Sequence, residues 1–197
     1  VIEIMGGDLS LTATGLCLPD GSMATLKTGP SSRGDARLPD LGRAFRHQLR
    51  AWPVALMVLE LPGRFKSADA ALGVGMAHGI VREILAEFRV PVAFIAPAVL
   101  KMFATGKGNA DKAEMVIAAN QARNADGTGQ EITDHNQADA WWLRQMGLWK
   151  YGARHLDEIG ATDFDGHGIR HKAVFGPWRK DGGAKWPARL RDAASRS

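Results

Sequence analysis

Apolar residues recur along this chain in two rhythms, and the switches between them mark out its elements. Val1 to Asp8 reads as a strand that enters a Gly6-Gly7-Asp8 turn. Leu11–Leu18 and Ser22–Thr28 read as two further short strands, joined by the turn Pro19-Asp20-Gly21. Pro30 to Arg37 is a polar loop, after which Leu41, Phe45, Leu49 and Trp52 step by three and four and predict a helix over Leu38–Trp52. Pro53 stops it. Val54–Leu59 is unbroken apolar sequence with Glu60 at its end, the pattern of a strand covered on both faces. A long helix is predicted over Ala68–Phe88, a strand over Pro91–Ile95, and a helix beginning at Pro97. The Gly-Lys-Gly loop Thr105–Asn109 precedes a helix over Asp111–Asn124. Asp126-Gly127-Thr128-Gly129 then breaks the chain before a last helix over His135–Trp149.

This order predicts an α/β fold, with a mixed five-stranded sheet flanked by helices. The first three strands are close enough in sequence to be antiparallel neighbours, and the later ones need helical crossovers. One domain is expected over residues 1–150 and a basic extension over 151–197.

Composition narrows the class. The chain has 197 residues, 45% hydrophobic and 23% charged, ordinary values for a soluble globular protein. No apolar run approaches the roughly 20 residues that span a bilayer, and no secretory leader stands at Val1, so no membrane partner is expected. A single cysteine, Cys17 in an apolar stretch, suits a small core residue in a reducing, cytoplasmic compartment. The net charge is only +4, but it is uneven. Arg170, Lys172, Arg179, Lys180, Lys185, Arg189, Arg191 and Arg196 face only Asp181 and Asp192 in the last segment. Such a block fits either a polyanion partner or a solvated tail. Trp178 and Trp186 in that segment could touch the same partner or tie the tail to the domain.

Three acids stand where elements begin or end: Asp8 after the first strand, Glu60 after the fourth, and Asp139 near the start of the last helix. Val58, Leu59 and Leu61 bound Glu60, and Ala138, Ala140 and Trp141 bound Asp139, which is not the setting of a solubilising acid. A carboxylate at the edge of a core is costly unless a cation pairs with it. Mg²⁺, which prefers hard oxygen donors, would be such a partner. Asp134 reads as the N-cap of the last helix, with Gln137 completing a capping box, and His135 lies four residues before Asp139.

Gly7-Asp8-Leu9-Ser10 with Thr14-Gly15 resembles the first-strand motif of RuvC-type Holliday-junction resolvases, of the ribonuclease H-like superfamily. Leu59-Glu60 is similar to their second acid, and Ser67-Ala68-Asp69-Ala70-Ala71-Leu72-Gly73 through Gly79 to their long helix. Pro97–Lys101 with Gly106–Ala113 is similar to the Gly-rich basic loop and following helix, and Ala138-Asp139-Ala140 to the final acid. The resemblance spans about residues 4–150 and is greatest to shorter, phage-type members. It implies a ribonuclease H-like fold and a structure-selective endonuclease that makes paired nicks in four-way junctions. Two Mg²⁺ ions, with Mn²⁺ as a possible substitute, are implied at Asp8, Glu60 and Asp139, with a 5′-phosphate and a 3′-hydroxyl left by the cut. The family often carries an acid or His three residues before the last Asp, where this chain has Asn136. A fourth ligand or base could therefore come from Asn136, His135 or Asp134.

The resemblance also implies contacts with branched DNA through Lys101 and Lys112, to which Lys107 adds a charge. Phe65 corresponds to a loop aromatic that stacks on opened bases, and it suits a half-buried loop position equally. The long helix 68–88, with Gly73, Ala77 and Gly79, corresponds to a homodimer interface, or its small residues pack on the sheet. Three other functions are weighed. Residues 8–15 also resemble the phosphate loop of actin-like ATPases, which need two such domains. A nuclease for RNA–DNA hybrids would keep the same metal site. A non-catalytic junction binder would have lost acids that are present here.

Overall fold

The computed structural model describes residues 3–29, 34–63, 65, 67–125 and 131–151. The break at Asp126–Gly129 and the basic extension beyond Tyr151, with its tryptophans, lie outside them. Five strands form one sheet: β1 (Ile4–Asp8), β2 (Ala13–Cys17), β3 (Met23–Lys27), β4 (Leu56–Glu60) and β5 (Val92–Ile95). Their order is β3-β2-β1-β4-β5. β1, β2 and β3 are antiparallel neighbours, whereas β1, β4 and β5 run parallel, so the expected mixed sheet is present. Among the described residues, five α-helices cover it: α1 (Arg37–Ala51), α2 (Ala68–Glu87), α3 (Pro97–Thr105), α4 (Lys112–Ala125) and α5 (His135–Tyr151).

Strand alternation sorts the core into two layers. Side chains at even positions of β1 and β4, Ile4, Leu56 and Val58, join α3, α4 and α5 around Trp142 and Phe103. Those at odd positions, Met5, Met57 and Leu59, join α1 and α2 around Phe45 and Ile84. Each fully buried side chain of this size contributes about 1.5–3 kcal/mol. The period of two has a functional consequence, since Asp8 and Glu60 are also even and so lie on the α5 side.

Gly6 and Gly7 do not make the expected turn; both lie inside β1. The reason is tertiary. α5 crosses β1 so closely that a Cβ on Gly6 would meet the Ala140 carbonyl oxygen at 2.1 Å, and one on Gly15 would meet that of Asn136 at 2.3 Å. Glycine in a strand interior often marks such an approach. Cys17 is fully buried. Burial pushes its thiol up to about 12, although Arg144 and Arg123 lie near enough to oppose the rise.

Candidate active site

Asp8 ends β1 and Glu60 ends β4, in neighbouring parallel strands whose register pairs Gly7 with Leu59. The two acids therefore emerge side by side at the same sheet end. α5 lies over β1 and β2 on that face, with its N-terminus at this end, and Asp139 comes from its second turn. Three elements distant in sequence thus bring one carboxylate each to a common site.

Electrostatics reports the convergence. Burial, then the charge of Asp139, pushes Asp8 up to about 7, against a lowering by Lys112. Burial, then Asp8 and Asp139, pushes Glu60 up to about 8, opposed by Lys101. Asp139 rises to about 6 through burial, with Lys101 and Lys112 pulling it back. Two or three carboxylates sharing a poorly hydrated site resist simultaneous ionisation. A divalent cation relieves the repulsion and the desolvation together, and three hard oxygen donors suit one in kind. Among the described residues, no three His, Cys, Asp or Glu side chains are yet arranged to hold a metal ion as a finished cage.

At the start of α5 the three remaining candidates are each engaged. Asp134 caps the helix, its Oδ1 accepting from the Asn136 amide at 2.9 Å, while its Oδ2 accepts from the Thr25 hydroxyl at 3.5 Å. The return half of the expected capping box is not made, because the Gln137 side chain donates instead to Thr25 on β3 at 2.9 Å. Asn136 donates its side-chain N–H to the Ala13 carbonyl at 3.0 Å, which ties α5 to β2 and leaves its carbonyl oxygen for a cation. His135 Nε2 lies 2.6 Å from Lys112 Nζ. Sequence reading missed Thr25, which has no local signal: its partners are more than a hundred residues away.

The basic residues surround this site unevenly. Lys101 on α3 and Lys112 at the start of α4 are near enough to shift the acids' pKa values, whereas Lys107 pairs with Glu114 at 2.8 Å on the surface. Glu114 belongs to a capping box the sequence reading overlooked: its Oε2 accepts from the Asp111 amide, and Asp111 Oδ1 accepts from the Glu114 amide, both at 2.9 Å. The signal was the Asp-x-x-Glu spacing. Phe65 is 39% exposed, so the loop presents its ring rather than burying it. Ser10 and Thr14, which lend residues 8–15 the look of a phosphate loop, instead bond to each other: Thr14 Oγ1 donates to the Ser10 carbonyl at 2.7 Å and accepts its amide at 3.0 Å.

A mixed β3-β2-β1-β4-β5 sheet flanked by helices is a ribonuclease H-like fold. The profile of the family described as Crossover junction endodeoxyribonuclease RuvC matches residues 6–140, and the chain belongs to that family. It is 28% identical over 118 residues to the crossover junction endodeoxyribonuclease RuvC of Parasynechococcus marenigrum (strain WH8102), covering 60% of this chain and 70% of that one. Against RuvC of Prochlorococcus marinus (strain MIT 9303) it is 26% identical over 133 residues, covering 64% and 86%. In structure it is similar to T. thermophilus RuvC in complex with a Holliday junction substrate. The TM-score there is 0.62 at 22% identity, over 73% of this chain and 91% of that one, which bears on the fold alone.

Proposed function

We propose that this protein is an endodeoxyribonuclease that resolves four-way DNA junctions by paired nicks. The observation that carries this is the meeting of Asp8, Glu60 and Asp139, three half-buried and poorly hydrated carboxylates that resist joint ionisation, in a chain of the RuvC family. The relatives it matches are named crossover junction endodeoxyribonucleases.

In this reading Asp8, Glu60 and Asp139 hold divalent cations, Mg²⁺ by preference and Mn²⁺ as a substitute, with Asn136 through its carbonyl oxygen or Asp134 as the further donor. When bound, such ions activate a water and stabilise the leaving oxygen in phosphodiester hydrolysis. Lys101 and Lys112 hold phosphate oxygens next to the acids, and Lys107 extends the basic rim. Exposed Phe65 offers a stacking face to a base opened at the branch point.

Two opposed nicks need two sites, and α2 suits a two-fold interface. Ala77 is used in the core, but Leu72, Gly75 and Gly79 point outward at spacings of three and four, and the two glycines have open space around them. The homodimer is therefore assigned to that outward face. No helix among the described residues is long and apolar enough to cross a membrane. A buried, unpaired Cys17 agrees with work in the cytoplasm, where recombining DNA lies.

The test is cleavage of a labelled four-way junction beside linear duplex and RNA–DNA hybrid, with Mg²⁺ or EDTA. Symmetric nicks confined to the junction are expected. Preferential cutting of the hybrid would overturn the substrate, and metal-independent cutting the chemistry.

A further inference from the structure

The contact between His135 and Lys112 assigns His135 a different duty from metal ligation or base catalysis. Lys112 Nζ and His135 Nε2 are 2.6 Å apart, across two helices and 23 positions of sequence. An ammonium has protons to give and no lone pair, so the imidazole nitrogen is the acceptor. Nδ1 then carries the ring proton. That atom faces Asp134 Oδ1 at 3.8 Å, and Asp134 is itself fixed by the Asn136 amide and by Thr25. With Nε2 occupied and Nδ1 protonated, neither nitrogen has a lone pair for a cation or for a water's proton.

We propose that His135 is a positioning residue: its imidazole holds the Lys112 ammonium beside Asp8 and Asp139, next to an Asp134 that Thr25 and the Asn136 amide fix in place. A lysine has a flexible four-carbon stem, and an exposed one samples many rotamers. Lys112 is exposed at the start of α4, yet its charge acts on both Asp8 and Asp139. A fixed acceptor on α5, four residues before Asp139, keeps it there. Asn136, three residues before Asp139, is turned to β2 by its side-chain bond to the Ala13 carbonyl, and the neighbouring His135 meets the cation instead.

The catalytic consequence rests on the nuclease reading, but the geometry can be tested without it. In ¹⁵N spectra of the full chain with labelled histidine, His135 should be the Nδ1–H tautomer without metal. The Nε2 resonance should move in Lys112→Met, and added Mg²⁺ should not convert it to a ligated nitrogen. An Nε2–H tautomer, or an Nε2 signal indifferent to Lys112→Met, overturns the proposal whether or not the protein cuts DNA. In cleavage, His135→Ala should lose about 10–100-fold, the usual effect of a hydrogen bond to a charged group. His135→Gln, whose carbonyl can accept from Lys112, should recover most of it. In the Lys112→Met background His135→Ala should lose little more. An equal loss with either residue at position 112 would mean that His135 acts alone, and the proposal would fail. If no variant or wild type cleaves any junction, the nuclease reading falls while the spectra still decide the contact.

Discussion

Gly6 of β1 lies so close under Ala140 of α5 that a Cβ would stand 2.1 Å from the Ala140 carbonyl oxygen and 2.6 Å from the Arg144 amide nitrogen. Both obstacles are helix backbone, which cannot rotate aside as a side chain can. This contact sets the height of α5 above the sheet and hence that of Asp139 above Asp8. Gly6→Ala should therefore destabilise the protein by about 1–3 kcal/mol or more, as overpacking does. Junction cleavage should fall further than the folded fraction does. Thermal melting beside specific activity checks this, and a full-activity Gly6→Ala protein would show that α5 can lift without harm. Gly15→Ala, which meets the Asn136 carbonyl at 2.3 Å, should behave alike.

The pKa values of the acids predict how stability varies with pH. Asp8, Glu60 and Asp139 all rise above their ordinary values, to about 7, 8 and 6. The folded chain thus holds these protons more tightly than the unfolded one. Their contribution is fully present below the ordinary carboxylate range and is lost as pH rises through 6 to 8. The metal-free protein should melt progressively lower across that window. Asp8→Asn should flatten the trend and raise the melting temperature at pH 8 by roughly 2–4 °C, equivalent to about 1 kcal/mol. A melting temperature indifferent to pH between 5 and 8 would contradict the burial of these groups.

Cation binding should be linked to the same protons. Because the bound form needs ionised carboxylates, Mg²⁺ should release protons at pH 6 and fewer at pH 9, and saturation should need less metal at the higher pH. Calorimetry in two buffers of different ionisation heat counts the protons. Zero release at pH 6 would place the metal elsewhere.

Lys107 separates DNA contact from fold. Its pair with Glu114 lies on the surface, where such bridges contribute little. Lys107→Ala should leave melting nearly unchanged while weakening junction binding and reducing its salt slope by about one. Unaltered binding at low and moderate salt would take Lys107 out of the interface.

Much of this arrangement is legible in the sequence because it is written in short patterns. Apolar runs that stop at Asp8 and Glu60 mark strand ends, and the polar stop at Asp134 marks the start of α5. Asp134 is recognised as a cap for the same local reason. What escapes is tertiary. Gly6-Gly7 reads as a turn because its cause, the backbone of Ala140, lies far along the chain. Gln137 is expected to bond back to Asp134 and instead crosses to the Thr25 hydroxyl on β3, a partner far away in sequence. The stripe Gly73, Ala77 and Gly79 reads as one face, yet Ala77 points into the core and Gly79 away from it. The partner of His135, Lys112, comes from another helix and has no local signal in the sequence.

The proposed function puts Asp8 in a hydrolytic metal site on a junction-binding protein. The most direct test compares wild type with Asp8→Asn for both binding and cleavage of one labelled four-way junction in Mg²⁺. Cleavage should fall by at least about 100-fold, more than the loss of a residue that merely orients a ligand, with junction binding nearly unchanged. Equal cleavage by the two proteins would contradict the account, as would loss of binding in parallel with cleavage.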